Sequence, residues 1–216
     1  MDRIIGEIKE AQNYLDKELA FLKTSFSCLK IIFEDLREGK LKIYKNFFIF
    51  LLISTFSSVV LSIKKFIDKD KRSYSFYWLL ERLKLILVCK NVSNSNYEID
   101  EIETKIENFK NTYRKFISIR NKMVAHVQEG SIIDILKDGI SMNDINEIEE
   151  AIQEIEKIKK EIERKIKYAT MDYKYSNSAI SKTPDIKIDI PYVHPIDEVI
   201  KDLKNLLNKI KEINLI

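Results

Sequence analysis

The chain has 216 residues, enough for one domain with a substantial core, or one domain with an appended tail. A third of the residues are charged and 45% are apolar, which excludes a disordered chain. A net charge of +3 is too small to mark a nucleic-acid binder by itself, and two histidines with two cysteines exclude a zinc-type ligand cluster.

Only four glycines and three prolines interrupt the chain, so long helices with few turns are expected. Residues 2–38 read as one long helix or two joined ones, with a stripe through Leu19, Leu22, Phe26, Leu29 and Phe33 and Gly39 as the stop. Residues 42–66 are the most apolar stretch, near the length of a membrane span. Ser54, Ser58 and Ser62 recur every fourth residue there, and no second span follows, which favours a buried bundle helix over a membrane segment. Asp68–Arg72 reads as a charged loop. Ser73 or Ser75 then caps a third helix to about Lys90, whose aromatics Tyr74, Phe76, Tyr77 and Trp78 are expected to serve as core. Cys28 and Cys89, each among apolar neighbours, read as reduced core residues. The N-terminus mixes acidic and basic residues in an amphipathic pattern unlike a signal peptide, so the cytoplasm is the expected location.

A polar loop, Asn91–Asn96, precedes a helix predicted from Ile99 to Ala125. Its apolar residues Ile99, Ile102, Ile106, Phe109, Tyr113 and Phe116 alternate three and four apart, the spacing of a core-facing seam. The next position of that seam is Arg120, and His126 follows six residues later. An inward arginine is costly unless it is paired or lines a cleft, and histidine titrates near neutral pH. Two structural readings stand beside the functional one. Arg120 could bury its stem and hold its head in water, and His126 could simply favour a helix C-terminus. The first half of this helix is acidic (Asp100, Glu101, Glu103, Glu107) and the second basic (Lys110, Arg114, Lys115, Arg120, Lys122). That asymmetry suits the helix dipole and also concentrates positive charge near His126.

Gly130 and Gly139 bracket a short connector, and Ser141-Met142-Asn143-Asp144 reads as a capping box. It opens a helix with a near-heptad row of isoleucines from Ile145 to Ile166, in which Ile158 or Lys159 fills one slot. All three prolines, Pro184, Pro191 and Pro195, fall in residues 169–195, where alternating Ile186, Ile188 and Ile190 suggest a short extended segment within a loop. Pro195 is placed for the first turn of an amphipathic terminal helix, and His194 beside it reads as structural. The expected layout is a helical bundle over residues 1–169, an extended linker over 170–195, and a docking C-terminal helix over 196–216.

The run Arg120-Asn121-Lys122-Met123-Val124-Ala125-His126 resembles the Arg-Asn-x-x-x-Ala-His form of the Arg…His motif of HEPN domains, in particular the abortive-infection, AbiU-type branch. The resemblance covers roughly residues 10–170 and implies an all-α, HEPN-like bundle of four to five long helices with an appended C-terminal helix. It implies a metal-independent RNA endonuclease without a cofactor, serving as a toxin or anti-phage abortive-infection effector. HEPN ribonucleases are typically dimers whose two motifs share one cleft. By this resemblance Arg120, His126 and Asn121 are catalytic, and Lys122, Arg114 and Lys115 contact RNA. The implied partners are an RNA substrate, a second copy of the chain, and an antitoxin or other defence-system protein, with no membrane. HEPN toxins paired with nucleotidyltransferase-like antitoxins commonly carry a tyrosine two residues after the histidine; this chain has Gln128 there. The alternative is a non-catalytic HEPN-like module that binds RNA, a nucleotide or a protein partner through the same cleft.

Overall fold

The computed structural model describes residues 1–41, 45–92, 98–128, 140–177 and 196–213. Among these are six helices and no strand: α1 (Asp2–Arg37), α2 (Lys45–Ile67), α3 (Phe76–Cys89), α4 (Ile99–Gln128), α5 (Met142–Asn177) and α6 (Ile196–Ile213). The molecule is all-α. The connector 129–139, the extended segment 186–190, His194 and Pro195 lie outside the described residues, as does most of the loop Asn91–Asn96.

Local signals in the sequence set the helix ends. Residues 2–38 form one helix rather than two, and Gly39 closes it at φ 71°, where a side chain would strain the backbone. Ser75, not Ser73, caps α3: its hydroxyl accepts from the Trp78 N–H at 3.3 Å and donates to the Asp68 carbonyl at 2.6 Å. Asp144 completes the capping box of α5, accepting from the Ser141 N–H and hydroxyl at 2.9 and 2.6 Å.

Cross-helix ion pairs fix the directions of the rods. α2 returns along α1, with Lys65 on Glu18 at 2.8 Å. α3 continues in the direction of α2 beyond the loop: Tyr74 meets Tyr14 ring to ring at 5.7 Å, and Arg82 reaches Glu7 at 3.3 Å. α2 and α3 are thus one broken rod antiparallel to α1. α4 runs back beside it, first along α3, where Glu103 takes Lys84 and Glu107 takes Tyr77, and then along α2. α5 is antiparallel to both α1 and α4. Lys30–Glu149, Lys23–Glu156 and Asp16–Lys159 mark its register on α1, and Lys115–Glu147, Lys105–Glu161 and Glu98–Lys165 its register on α4. Four rods enclose one core, filled by Leu22, Leu29, Phe48, Phe56, Phe66, Phe76 and Phe116, among others. Each such side chain contributes about 1.5–3 kcal/mol of burial. α6 packs on α1, with Ile200 and Lys204 beside Phe26 and Lys30.

Three sequence expectations change. The linker expected over 170–195 starts later, because α5 runs on as a helix to Asn177. Cys89 is exposed and Cys28 only half-buried, both as free thiols, because the inward row of α3 is Leu79, Leu80, Leu83, Ile86 and Leu87 and Cys89 falls off it. The aromatics of α3 also divide. Phe76 is fully buried, whereas Tyr74, Tyr77 and Trp78 lie half-exposed, with Arg82 over the Trp78 ring at 4.7 Å. α2 is the one described helix long and apolar enough to cross a membrane, yet 50% of its most apolar window is buried inside the bundle.

Candidate functional site

α4 builds the site from its seam. Asp100 and Glu101 in the first turn suit the positive end of the helix dipole. The row from Ile99 to Phe116 is buried throughout, none of it more than 7% exposed. Beyond Phe116 the inward face continues through Ile119 and Met123, both buried, and Arg120 lies between them. The arginine is half-buried, and its Nε is shut off from solvent without a hydrogen-bond partner among the described residues. A buried donor left in that state costs about 1–3 kcal/mol. The seam has therefore delivered a guanidinium to the bundle wall, with its Nε unsatisfied among the described residues.

Its electrostatic neighbours were not singled out by the sequence. Tyr113, two turns earlier in the same row, is 7% exposed. Burial pushes its phenol up; the Arg120 charge opposes this, and the Asp68 carboxylate adds to it. Arg120, Tyr113 and Asp68 thus share one electrostatic environment where the end of α2 meets α4. Tyr113 was legible only as a member of the apolar row. Asp68 comes from a loop far earlier in the chain, and no local pattern joins it to Arg120.

The other candidates fall into two groups. Asn121, Lys122 and Arg114 are exposed, and neither Lys122 nor Arg114 makes an ion pair among the described residues. Lys115 is committed: it bridges to Asp144 at 3.1 Å and Glu147 at 2.5 Å, and the Glu147 carboxylate leads in raising its pKa. Its first role is to hold α4 on α5. His126 belongs to the last turn of α4, and its side chain lies outside the described residues. Six positions along an α-helix turn through about 600°, so Arg120 and His126 leave the axis roughly 120° apart.

Three grooves elsewhere on the described surface run between α4 and α5, beside the α2–α3 loop, and under α6; Arg120 lines none of the three. Among the described residues no three His, Cys, Asp or Glu side chains gather as a metal ion would require. The arrangement offers a half-buried guanidinium whose fork of donors suits an oxyanion such as a phosphodiester.

Comparison with known proteins agrees with the motif. The chain matches the family model described as AbiU2, a HEPN family, over residues 5–179. No curated protein and no solved structure matches it. The all-α, HEPN-like bundle, the Arg-Asn-x-x-x-Ala-His run at the end of α4 and a match over most of the chain lead to one assignment: this chain belongs to the AbiU2 family of HEPN domains and is an abortive-infection-related protein.

Proposed function

We propose that the chain is a metal-independent RNA endonuclease of the HEPN type, acting in the cytoplasm as a toxin or abortive-infection effector. The observation that supports this reading is Arg120, a half-buried guanidinium near the end of the motif helix whose Nε has no partner among the described residues. In RNA cleavage the 2′-oxygen attacks the adjacent phosphorus as the bond from phosphorus to the 5′-oxygen breaks. One proton leaves the 2′-hydroxyl and one reaches the departing 5′-oxygen, giving a 2′,3′-cyclic phosphate and a 5′-hydroxyl. The substrate supplies the nucleophile, so neither a protein nucleophile nor a metal is needed, and DNA, lacking the 2′-hydroxyl, is not cut.

His126 moves a proton in this step, a contribution worth roughly a hundred- to ten-thousand-fold in rate. Arg120 holds the phosphoryl oxygens as charge builds on them. Asn121 orients the phosphate or the imidazole, and Lys122 and Arg114 contact the backbone, with Lys115 a lesser contributor because of its ion pairs to α5. The angular gap between Arg120 and His126 on one helix favours a site completed by a second copy of the chain, each motif supplying part of the constellation. An antitoxin or another defence-system protein would restrain such an activity.

The test is incubation of purified protein with single-stranded RNA in the presence of EDTA, beside His126→Ala. The expected result is cleavage with cyclic phosphate ends by the wild type and none by the variant. Equal cleavage by both, or a strict need for magnesium, overturns the mechanism. Tight RNA binding without cleavage by the wild type points instead to a non-catalytic binding module.

A further inference from the structure

The groove beside the α2–α3 loop lies apart from the motif and has a chemistry of its own. It opens between that loop, α3 and the first half of α4, with a volume of about 660 Å³, ample for a nucleotide. Most of the charge around it is already paired. Lys69 is held by Glu107 at 2.6 Å, Lys84 by Glu103 at 2.5 Å, Asp70 by Arg72 at 2.9 Å, and Arg82 by Glu7 at 3.3 Å. Two charged lining residues are left over, Lys71 and Glu81, both exposed and neither in an ion pair among the described residues. They are opposite in sign and come from different elements, one from the loop and one from α3.

The apolar lining of the groove is aromatic, Tyr77 and Trp78, both half-exposed. The two rings are held in place before any ligand arrives. Arg82 lies over Trp78 at 4.7 Å and Tyr74 meets it edge-on at 5.0 Å, while Lys69 and Lys110 lie 4.9 and 4.5 Å from the centre of the Tyr77 ring. A ring already fixed loses little freedom when it binds. Flat rings beside one free cation and one free carboxylate match the parts of a nucleotide. A base stacks on aromatic and guanidinium planes, a phosphate takes the cation, and a carboxylate accepts from an exocyclic amino group such as N4 of cytosine. α4 links this groove to the motif. Lys110, Arg114, Ile117 and Asn121 are four, three and four residues apart and so share one face of the helix. Arg114 and Asn121 are exposed there, and Arg114 has no ion pair among the described residues.

We propose that this groove is a base-binding subsite for single-stranded RNA, in which Tyr77 and Trp78 stack a nucleotide, Lys71 contacts the backbone and Glu81 selects bases that carry an amino group. From Lys110, over the Tyr77 ring, to Arg120 is ten residues, about 15 Å of helix, so the stacked base lies a few nucleotides from the phosphate at Arg120. That the strand continues to Arg120 rests on the ribonuclease reading; the groove itself does not.

The chain has a single tryptophan, so the fluorescence of Trp78 reports on the groove directly. The probe is a short 2′-O-methyl oligocytidylate, which has no free 2′-hydroxyl to attack the phosphorus, added to the full chain. Saturable quenching is expected, with the matching oligouridylate binding roughly fivefold more weakly. Glu81→Ala should remove that preference. Lys71→Ala should weaken both oligonucleotides and reduce the salt slope of binding by about 1. Both side chains are exposed, so neither variant disturbs the core. An oligonucleotide that does not bind, or binds to a filter without changing Trp78 fluorescence, overturns the subsite, as does quenching indifferent to both substitutions. Cytidine 5′-monophosphate binding as tightly as the oligonucleotide overturns it in favour of a site for a free nucleotide. Cleavage of unmodified RNA separates this proposal from the reaction. A protein that cuts RNA without quenching at Trp78 refutes the subsite alone, and one that shows the expected quenching but leaves RNA intact refutes the ribonuclease reading alone.

Discussion

Two cations occupy inward heptad slots of this bundle and meet different fates. Lys159 of α5 is 7% exposed and clasped by Asp16 of α1 at 2.6 Å and by Glu163 one turn on. Burial alone would lower its pKa, but the two carboxylates outweigh burial and raise it. Arg120 of α4 stands in a half-buried slot with its Nε unpartnered among the described residues, and it shares with Asp68 an influence on the Tyr113 phenol. The first cation is a tie between two rods. The second has an Nε without a partner among the described residues, which is why it is proposed as a ligand-binding group. A seam position thus gives a structural ion pair where the neighbouring helix supplies carboxylates; at Arg120 no such pair is present among the described residues.

The comparison breaks most visibly in activity. His126→Ala should reduce RNA cleavage by roughly a hundred- to ten-thousand-fold while RNA affinity changes little, because the imidazole contributes mainly proton transfer. Cleavage rate against affinity by filter binding checks it. Next comes Arg120→Met, expected to lower cleavage by about a hundred- to a thousand-fold, as loss of one transition-state donor does. Its melting temperature should stay level or rise, since the orphaned donor is removed. Arg120→Lys should recover only part of the activity, because a point charge does not replace the guanidinium fork. Lys159→Ala should behave in the opposite way. We expect a loss of about 1–3 kcal/mol by urea unfolding, from its stem and its two charge-assisted bonds, with cleavage per folded molecule unchanged.

The smallest effect concerns acid. Lys69 and Tyr77 beside it hold the Glu107 carboxyl down at about 2. Its folded pKa lies below the unfolded value, so its contribution is present above pH ~4.3 and is lost as pH falls toward the folded value. Glu107 is 47% exposed, and solvent screening limits the contribution to below about 1 kcal/mol. Glu107→Gln should flatten that part of the acid unfolding curve without touching cleavage.

Much of this molecule was legible before any fold was known. The three-and-four spacing of α4 placed Arg120 beside the inward face because side-chain direction follows helix period; in the structure Ile119 and Met123 take the buried positions and Arg120 is half-buried at their edge. Gly39 and the Ser141–Asp144 pair announced their caps because capping is local chemistry, whereas the sequence left α3 with Ser73 or Ser75 and the structure selects Ser75. What stayed hidden depends on distant pairings. Nothing in α2 or α3 says that they form one broken rod, and nothing near Arg120 points to Asp68. The serines of α2 suggested one contact side, but Ser54 is exposed, Ser58 half-buried and Ser62 buried, because a strict four-residue repeat drifts around a helix of 3.6 residues per turn. Cys89 sits among apolar neighbours in sequence yet outside the inward row, since one residue of offset turns a helical side chain by about 100°.

Arg120 is proposed as an anion site, in contrast to the closed ion pair of Lys159. Thermal unfolding of the wild type, Arg120→Met and Lys159→Met with rising concentrations of a nucleoside 3′-phosphate tests it most directly. A ligand that binds only the folded state raises the melting temperature with concentration. The account predicts that the wild type and Lys159→Met are stabilised in parallel while Arg120→Met is not. Equal stabilisation of all three proteins, or loss of the effect in Lys159→Met alone, would contradict it.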